Sequence, residues 1–195
     1  MVRMDKMMSL TRTEKLMHEA DMIMGMIRLD EILEPYGRWV LTGSYYLNVM
    51  VYPDLDIYIT KVSLTQLFEI AAQIASCELV SQVVYEPSDD PEHMPGGLYL
   101  KTRLKYGDWG RPWKIDLWSL PEDVIRRKTA EMSHFLQKMT PHLREEIIRY
   151  KLSVMTAQKR TPVYSGYYIY KAFIDEGLAD FENVTRYLIS CGVQM

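Results

Sequence analysis

Two patterns of apolar and polar residues divide the chain near residue 120. Before that point, short stretches that alternate like strands lie between stretches with helical spacing, and after it helical spacing dominates. Strands are predicted at residues 38–42, 55–59, 78–86, 98–106 and 113–120. The pattern therefore predicts an α+β fold, with a mixed sheet of about five strands and flanking helices over residues 1–120, and a helical part over residues 121–195.

Local signals place the ends of several helices. Capping-box spacing occurs at Thr11 with Glu14, at Ser63 with Gln66 and at Ser119 with Glu122. We expect a first helix over about residues 13–34, a short helix over residues 44–51 that Pro53 ends, and a later helix that Thr140 caps. The stretch 87–97 is rich in Pro, Gly and acidic residues, so it is predicted to be a loop.

Acidic residues interrupt two of the predicted strands. Asp54 and Asp56 flank Leu55, and Asp116 lies between apolar neighbours in the strand at 113–120. Because side chains alternate between the two faces of a strand, Asp54 and Asp56 share a face. Carboxylates this close repel one another unless a cation lies between them, and their oxygens suit Mg²⁺. We expect the three acids to form one metal-binding cluster; a solvated face of the sheet is the alternative.

A Gly-Ser pair precedes the first acidic strand. Gly43 follows a predicted strand and Ser44 opens a predicted helix. Glycine lets a ligand approach the backbone closely, and the free N–H groups of a helix start suit a phosphate. A plain strand-to-helix turn that serine caps is the alternative.

The combined motif resembles a known family. Gly43-Ser44, a gap of nine residues (45–53), Asp54-x-Asp56 and a later strand with Asp116 are together similar to the signature of the DNA polymerase β-like nucleotidyltransferase superfamily. The likeness covers roughly residues 38–120. The leading helix, the sheet and the helical tail look like those of the small bacterial members, including antibiotic nucleotidyltransferases. The resemblance implies the nucleotidyltransferase fold.

The resemblance also implies a role for each residue of the motif. Gly43 and Ser44 would hold the β/γ-phosphates of a nucleoside triphosphate, and Asp54 and Asp56 would bind Mg²⁺ at those phosphates. Asp116 would share a second Mg²⁺ and help to deprotonate a hydroxyl of a small-molecule or protein acceptor. The expected reaction is transfer of an NMP group to that hydroxyl, with pyrophosphate as the leaving group.

The chain departs from the family pattern just before the first acid. Members of the family often carry an Arg or a second Ser there, whereas this chain has Tyr52-Pro53. The departure favours an alternative function: a nucleotide-binding or regulatory protein with weak or no catalysis, or a partner in a toxin–antitoxin pair, with the same fold.

Several basic and aromatic residues are further candidates. Lys114, two residues before Asp116 on the same strand face, is expected to contact a phosphate or to pair with the acids. For the other candidates, solvated surface or helix packing is favoured over ligand contact. They are Lys101, Arg103 and Lys105, Arg126 to Lys128, Arg149 and Lys151, and Tyr164, Tyr167, Tyr168 and Tyr170.

Composition narrows the class of protein. A net charge of −3 and a pI near 5.8 argue against a processive polymerase with an extended nucleic-acid surface. Cys77 and Cys191 have no metal-ligand spacing, and a reducing compartment fits them best. With no secretory signal or long apolar run, the chain is expected to be cytoplasmic and to have no membrane partner.

Overall fold

A computed structural model describes residues 2–87 and 94–195, and for residues 2–10 it describes the backbone alone. Most of the loop predicted at 87–97 therefore lies outside the described residues. Within the described part of the chain, no helix combines the length and the apolar character needed to cross a lipid bilayer.

The centre of the fold is one mixed sheet. Its strands are β1 (Trp39–Thr42), β2 (Asp54–Thr60), β3 (Val80–Pro87), β4 (Leu98–Leu104) and β5 (Trp113–Leu120). They lie in the order β1-β2-β5-β4-β3, with β2 and β5 parallel and the other neighbours antiparallel. The predicted α+β class with a five-stranded mixed sheet is confirmed.

Helices flank the sheet and form the C-terminal part. They are α1 (Val2–Ile27), α2 (Leu29–Leu33), α3 (Gly43–Tyr46), α4 (Leu64–Ala75), α5 (Glu122–Lys138), α6 (Pro141–Ser153), α7 (Ser165–Ile174) and α8 (Phe181–Ser190). The predicted cap at Thr140 is confirmed, because its side chain accepts the Leu143 N–H. The Ser63–Gln66 capping box is confirmed as well, with both of its hydrogen bonds formed.

The prediction for the first helix was wrong at both ends. The helix already runs through Thr11, so no capping box opens it there. It ends at Ile27 because Arg28 has a left-handed backbone with φ 60°, and a separate helix, α2, begins at Leu29. Both Ile27 and Leu29 are buried, so the break directs apolar residues on either side of Arg28 into the core.

The prediction that Ser119 caps α5 was also wrong. Ser119 belongs to β5 and is fully buried, and its hydroxyl accepts the Val62 N–H at 2.9 Å. The hydroxyl thus satisfies the buried backbone after β2 instead of a helix end. Pro121 precedes α5 and provides no side-chain cap.

The helix predicted over 44–51 is much shorter than expected, because α3 ends at Tyr46. The following residues, 47–53, form an irregular segment that lies between two hydrophobic cores. Leu47, Val49 and Val51 pack into the core of the C-terminal helices. Met50 points the other way, into the core between the sheet and α1. This alternation explains why the segment is apolar without being helical.

Candidate active site

The sheet brings the three predicted acids together. On the parallel strands β2 and β5, Asp56 lies directly beside Asp116, and Asp54 lies beside Lys114. One carboxylate oxygen from each of Asp54, Asp56 and Asp116 can be chosen so that all lie within 4.8 Å of one another. The intervening Leu55 is fully buried on the other face, as strand alternation requires. The expected cluster of carboxylates is present.

Crowding and burial disfavour the charged forms of these acids. Burial raises the pKa of Asp56, and the neighbouring charges of Asp54 and Asp116 raise it further, to about 8. The pKa of Asp54 is also raised, chiefly by burial, although Lys114 opposes the shift. A carboxylate cluster of this kind is poorly stabilised by the chain alone, so it favours an added cation.

Two side chains engage Asp116. The Tyr99 hydroxyl donates to Asp116 Oδ1 at 2.6 Å. The Lys114 ammonium forms an ion pair with Asp116 Oδ2, and its Nζ lies 3.2 Å from Asp54 Oδ1. Burial alone would lower the pKa of Lys114, but the surrounding aspartates outweigh that effect and raise it, so the lysine is a fixed cation. Of the two roles expected for Lys114, the structure shows pairing with the acids.

One oxygen of the cluster has no hydrogen bond. Asp54 Oδ1 is buried and, despite its ion-pair distance to Lys114, has no hydrogen-bond partner within the described chain. A buried carboxylate oxygen without a hydrogen bond is costly. Hard oxygen ligands at this spacing fit a divalent cation such as Mg²⁺. Asp54 and Asp56, with Asp116 beside them, are therefore the residues that would hold the metal.

Gly43 is required where the Gly-Ser turn meets the carboxylates. Its φ is +62°, and a Cβ built on it would lie 2.2 Å from Asp56 Oδ2. Any larger residue would push the Asp56 carboxylate away. Ser44, the next residue, is buried. The turn thus lies against the cluster; the phosphate-binding role of Gly43 and Ser44 stays a prediction.

Arg111 is a candidate that sequence reasoning missed. Its guanidinium lies over the Tyr52 ring, 5.2 Å from the centroid. Burial lowers the pKa of Arg111, and the nearby Asp54 charge partly offsets this. Its Nε is buried without a hydrogen bond within the described chain. In the sequence Arg111 is an arginine in the turn before β5, two residues ahead of Trp113, and nothing nearby indicates its place beside Asp54.

The sequence-based expectation for Lys151 was wrong. Its predicted place was the solvated surface, yet the side chain is 1% exposed. Its ammonium donates to the Val49 carbonyl at 2.8 Å and to the Tyr170 hydroxyl at 3.4 Å. Burial lowers the pKa of Lys151 to about 7, although the charges of Asp56 and Asp54 oppose the shift. Lys151 therefore links α6 to the segment between α3 and β2.

The remaining basic and aromatic candidates are dispersed. Lys101 lies beside Asp116 in the register of β4 and β5, but its ammonium pairs with Glu86. Tyr170 is buried, in line with the expected helix packing, whereas Tyr164 is 76% exposed. The structure does not bring these tyrosines to the carboxylates as a group.

Comparisons with known proteins give similar solved structures but no family. No family model and no curated protein matches the chain. A structure of the Cid1 poly(U) polymerase with MgGTP bound has 15% identity, covers 72% of this chain and 43% of its own, and gives a TM-score of 0.48. A structure of the non-canonical poly(A) polymerase complex GLD-2–GLD-3 has 15% identity, covers 86% and 54%, and gives 0.49.

A third structure, of a cytoplasmic RNA terminal U-transferase, has 11% identity, covers 74% and 42%, and gives a TM-score of 0.45. This chain thus spans only about half the length of the chains in those structures, between 42% and 54%. At these identities and TM-scores the likeness carries no inference about reaction or substrate. Those inferences rest on the carboxylates of this chain.

Proposed function

We propose that this protein is a Mg²⁺-dependent nucleotidyltransferase that moves an NMP group from a nucleoside triphosphate to a hydroxyl. The observation that carries the proposal is the convergence of Asp54, Asp56 and Asp116 on two adjacent strands, with oxygens within 4.8 Å. The buried Asp54 oxygen without a hydrogen bond supports a cation at this cluster. The sequence resemblance supports the reaction class.

Each acid has a defined task in the proposed reaction. Asp54 and Asp56 bind the cation. When bound, a divalent cation supplies positive charge to the phosphates and to the leaving oxygen. Asp116 accepts the proton of the acceptor hydroxyl. The freed oxygen attacks the α-phosphorus, the bond between the α-phosphorus and its bridging oxygen to the β-phosphorus breaks, and pyrophosphate leaves with that electron pair.

The negative charge of the triphosphate is balanced by residues other than the Arg or Ser that the family pattern places just before the first acid. Arg111 lies near Asp54 and carries a buried N–H without a partner within the described chain. Arg160 is close enough to Arg111 to lower its pKa by charge repulsion. We assign the triphosphate to these two guanidinium groups together with the backbone of Gly43 and Ser44. Guanidinium groups suit phosphate oxygens because they offer several fixed donors.

The proposed acceptor is a hydroxyl on a small molecule, such as an aminoglycoside or lincosamide, or on a protein side chain. The acidic chain favours a cationic acceptor because opposite charges steer association.

The test of the function is transfer of label from α-labelled nucleotides. The intact protein is incubated with each of the four labelled NTPs, Mg²⁺ and pooled acceptors that include small molecules, protein and oligoribonucleotides. We expect label on one acceptor class, loss of transfer in Asp54→Asn, and normal transfer in the exposed control Asp123→Asn. Transfer that persists in Asp54→Asn would remove the carboxylate cluster from the reaction.

A second function, nucleotide binding without turnover, is favoured by one observation. Lys114 already pairs with two of the three acids, which lowers the charge that attracts a cation. A protein of this kind would bind NTP, with a raised melting temperature, but release no pyrophosphate. Pyrophosphate release measured beside the melting temperature separates the two functions.

A further inference from the structure

Lys114 occupies a position that matters for the number of metal ions. Its ammonium bridges Asp54 and Asp116, which are the acids at the two ends of the cluster. Lys114 is 7% exposed, so its charge is held inside the protein, where pairing with an opposite charge matters most. A tethered cation therefore already lies among the carboxylates.

The oxygens of Asp116 are both engaged by the chain. Oδ1 accepts the Tyr99 hydroxyl and Oδ2 pairs with Lys114. Tyr99 is itself held in place, because its ring stacks on Trp118 with centroids 4.5 Å apart. A metal ion shared by all three acids would have to compete with Tyr99 and Lys114 for the oxygens of Asp116.

Strand β4 offers no carboxylate to which Lys114 could move. Across β4 and β5 its register partner is Arg103, which carries a like charge. Lys101 on β4 lies beside Asp116 in the register of the two strands, but its ammonium pairs with Glu86. Lys114 displaced from Asp116 would thus keep only one of the two carboxylates that balance its buried charge, which is unfavourable.

The ligand atoms that make no hydrogen bond point to one ion. Asp54 Oδ1 is buried, lies 3.2 Å from Lys114 Nζ and makes no hydrogen bond within the described chain, and Gly43 leaves room for the Asp56 carboxylate beside it. The oxygens that hydrogen bonds do not engage therefore lie on the Asp54–Asp56 side, away from Tyr99.

We propose that Lys114 takes the place of a second metal ion: its ammonium group holds Asp116, and the site binds one divalent cation at Asp54 and Asp56. This inference rests on the proposed function and replaces the two ions that the family resemblance implies. Lys114 is then a positioning residue that keeps Asp116 fixed without depending on the metal concentration.

The test counts Mn²⁺ ions bound by the full chain, by equilibrium dialysis and by electron paramagnetic resonance of the free ion. We expect one Mn²⁺ per wild-type chain and two in Lys114→Met, in which Asp116 Oδ2 becomes available. The matched control is Lys101→Met, which removes a lysine that pairs with Glu86, and it should bind one. Lys114→Gln, which keeps polar character, serves if the methionine variant does not fold.

The outcomes separate the two proposals. Two ions in the wild type, or one ion in a folded Lys114 variant, would overturn the role of Lys114 and leave the proposed transferase intact. No Mn²⁺ bound by the wild type would overturn the metal site and the proposed function together. If neither variant folds, the number of ions bound by the wild type still tests the proposal, because one ion is the expected result and two ions would overturn it.

Discussion

Gly43 and Asp56 are so close that a side chain at residue 43 would disturb both the turn and the carboxylate. There are two reasons. Gly43 has a left-handed φ of +62°, and a Cβ at this residue would lie 2.2 Å from Asp56 Oδ2. Backbone strain alone would affect stability, whereas displacement of the carboxylate would affect the metal site. The two effects can be measured separately.

Gly43→Ala should therefore lose both stability and metal binding. The left-handed backbone costs about 1–2 kcal/mol of unfolding free energy for a residue with a Cβ. The control is Gly177→Ala, whose φ is +63° but whose Cβ would meet no atom within 4 Å. Urea unfolding should show a loss in both variants, and a Mn²⁺ titration should show weaker binding in Gly43→Ala alone. Equal Mn²⁺ binding in the two variants would contradict the contact with Asp56.

The lowered pKa of the buried Lys151 should make the free energy of unfolding depend on pH. Burial lowers its pKa to about 7 in the folded protein, while a lysine in an unfolded chain titrates near pH ~10.4. Between these values the unfolded chain binds more protons, so the free energy of unfolding should rise with pH. Asp56, whose pKa in the folded protein is about 8, loses its proton up to about pH 8 and opposes the rise there. We therefore expect urea unfolding at pH 8, 8.5 and 9 to show the rise in the wild type and no rise in Lys151→Met.

The exposed Lys105→Met is the control, and its profile should match that of the wild type. A rise of the same slope in Lys151→Met would assign the pH dependence to other groups. Tyr52 and Tyr170, which face Lys151, titrate above this range, because burial raises the pKa of both and that of Tyr52 to about 12.

Strand alternation made the three acidic residues predictable from the sequence, but it gave no indication that Arg111 and Lys151 lie near them. Two acids spaced by one apolar residue must share a face, and a third in another buried strand had to find a partner. The pairing of β2 with β5, which joins distant parts of the sequence, decides that Asp56 meets Asp116. Arg111 and Lys151 gave no such signal, because nothing local shows that a loop arginine or a helical lysine will face the cluster.

The segment 47–53 shows why an apolar stretch was mistaken for a helix. Its apolar residues satisfy two cores on opposite sides, and periodicity cannot distinguish that from an amphipathic helix in so few residues. Asn48 has a φ of 54°, which is incompatible with a continuous helix. The backbone is stabilised instead by long-range bonds, such as that from Thr13 to the Met50 carbonyl at 2.8 Å.

Leu47→Ala tests the role of this segment. Leu47 is fully buried in the core of the C-terminal helices, so its truncation should cost about 2–5 kcal/mol of unfolding free energy. Leu64 is 44% exposed at the start of α4, and Leu64→Ala should cost less than about 0.5 kcal/mol. Urea unfolding of the two variants gives the comparison. A similar loss in both would show that the segment is not anchored in the helical core.

The molecule as a whole depends on that segment because it connects the sheet to the C-terminal helices. Leu47, Val49 and Val51 come from the first 120 residues yet pack with α6, α7 and α8. Lys151 adds a hydrogen bond from α6 to the Val49 carbonyl. The division into residues 1–120 and 121–195 stays a prediction about sequence, and the shared core indicates that the two parts fold together.

A cooperative transition is therefore expected for the intact chain. All four tryptophans lie before residue 120, so tryptophan fluorescence reports the sheet, while far-UV circular dichroism reports mainly the helices. The two urea curves should coincide. A fragment of residues 1–120 should give no cooperative transition, because Leu47 and its neighbours lose their partners. Separate midpoints, or a stably folded fragment, would show two independent domains.

The central claim is that the carboxylate cluster binds a metal ion and a nucleoside triphosphate together. Calorimetry with non-hydrolysable analogues of the four NTPs, with and without Mg²⁺, measures this directly. We predict Mg²⁺-dependent binding in the wild type and in Asp123→Asn, and a loss of at least about 10-fold in Asp56→Asn. The Asp56→Asn chain should still fold, since one of three repelling carboxylates is removed. Binding that is unchanged without Mg²⁺, or unchanged in Asp56→Asn, would contradict the account.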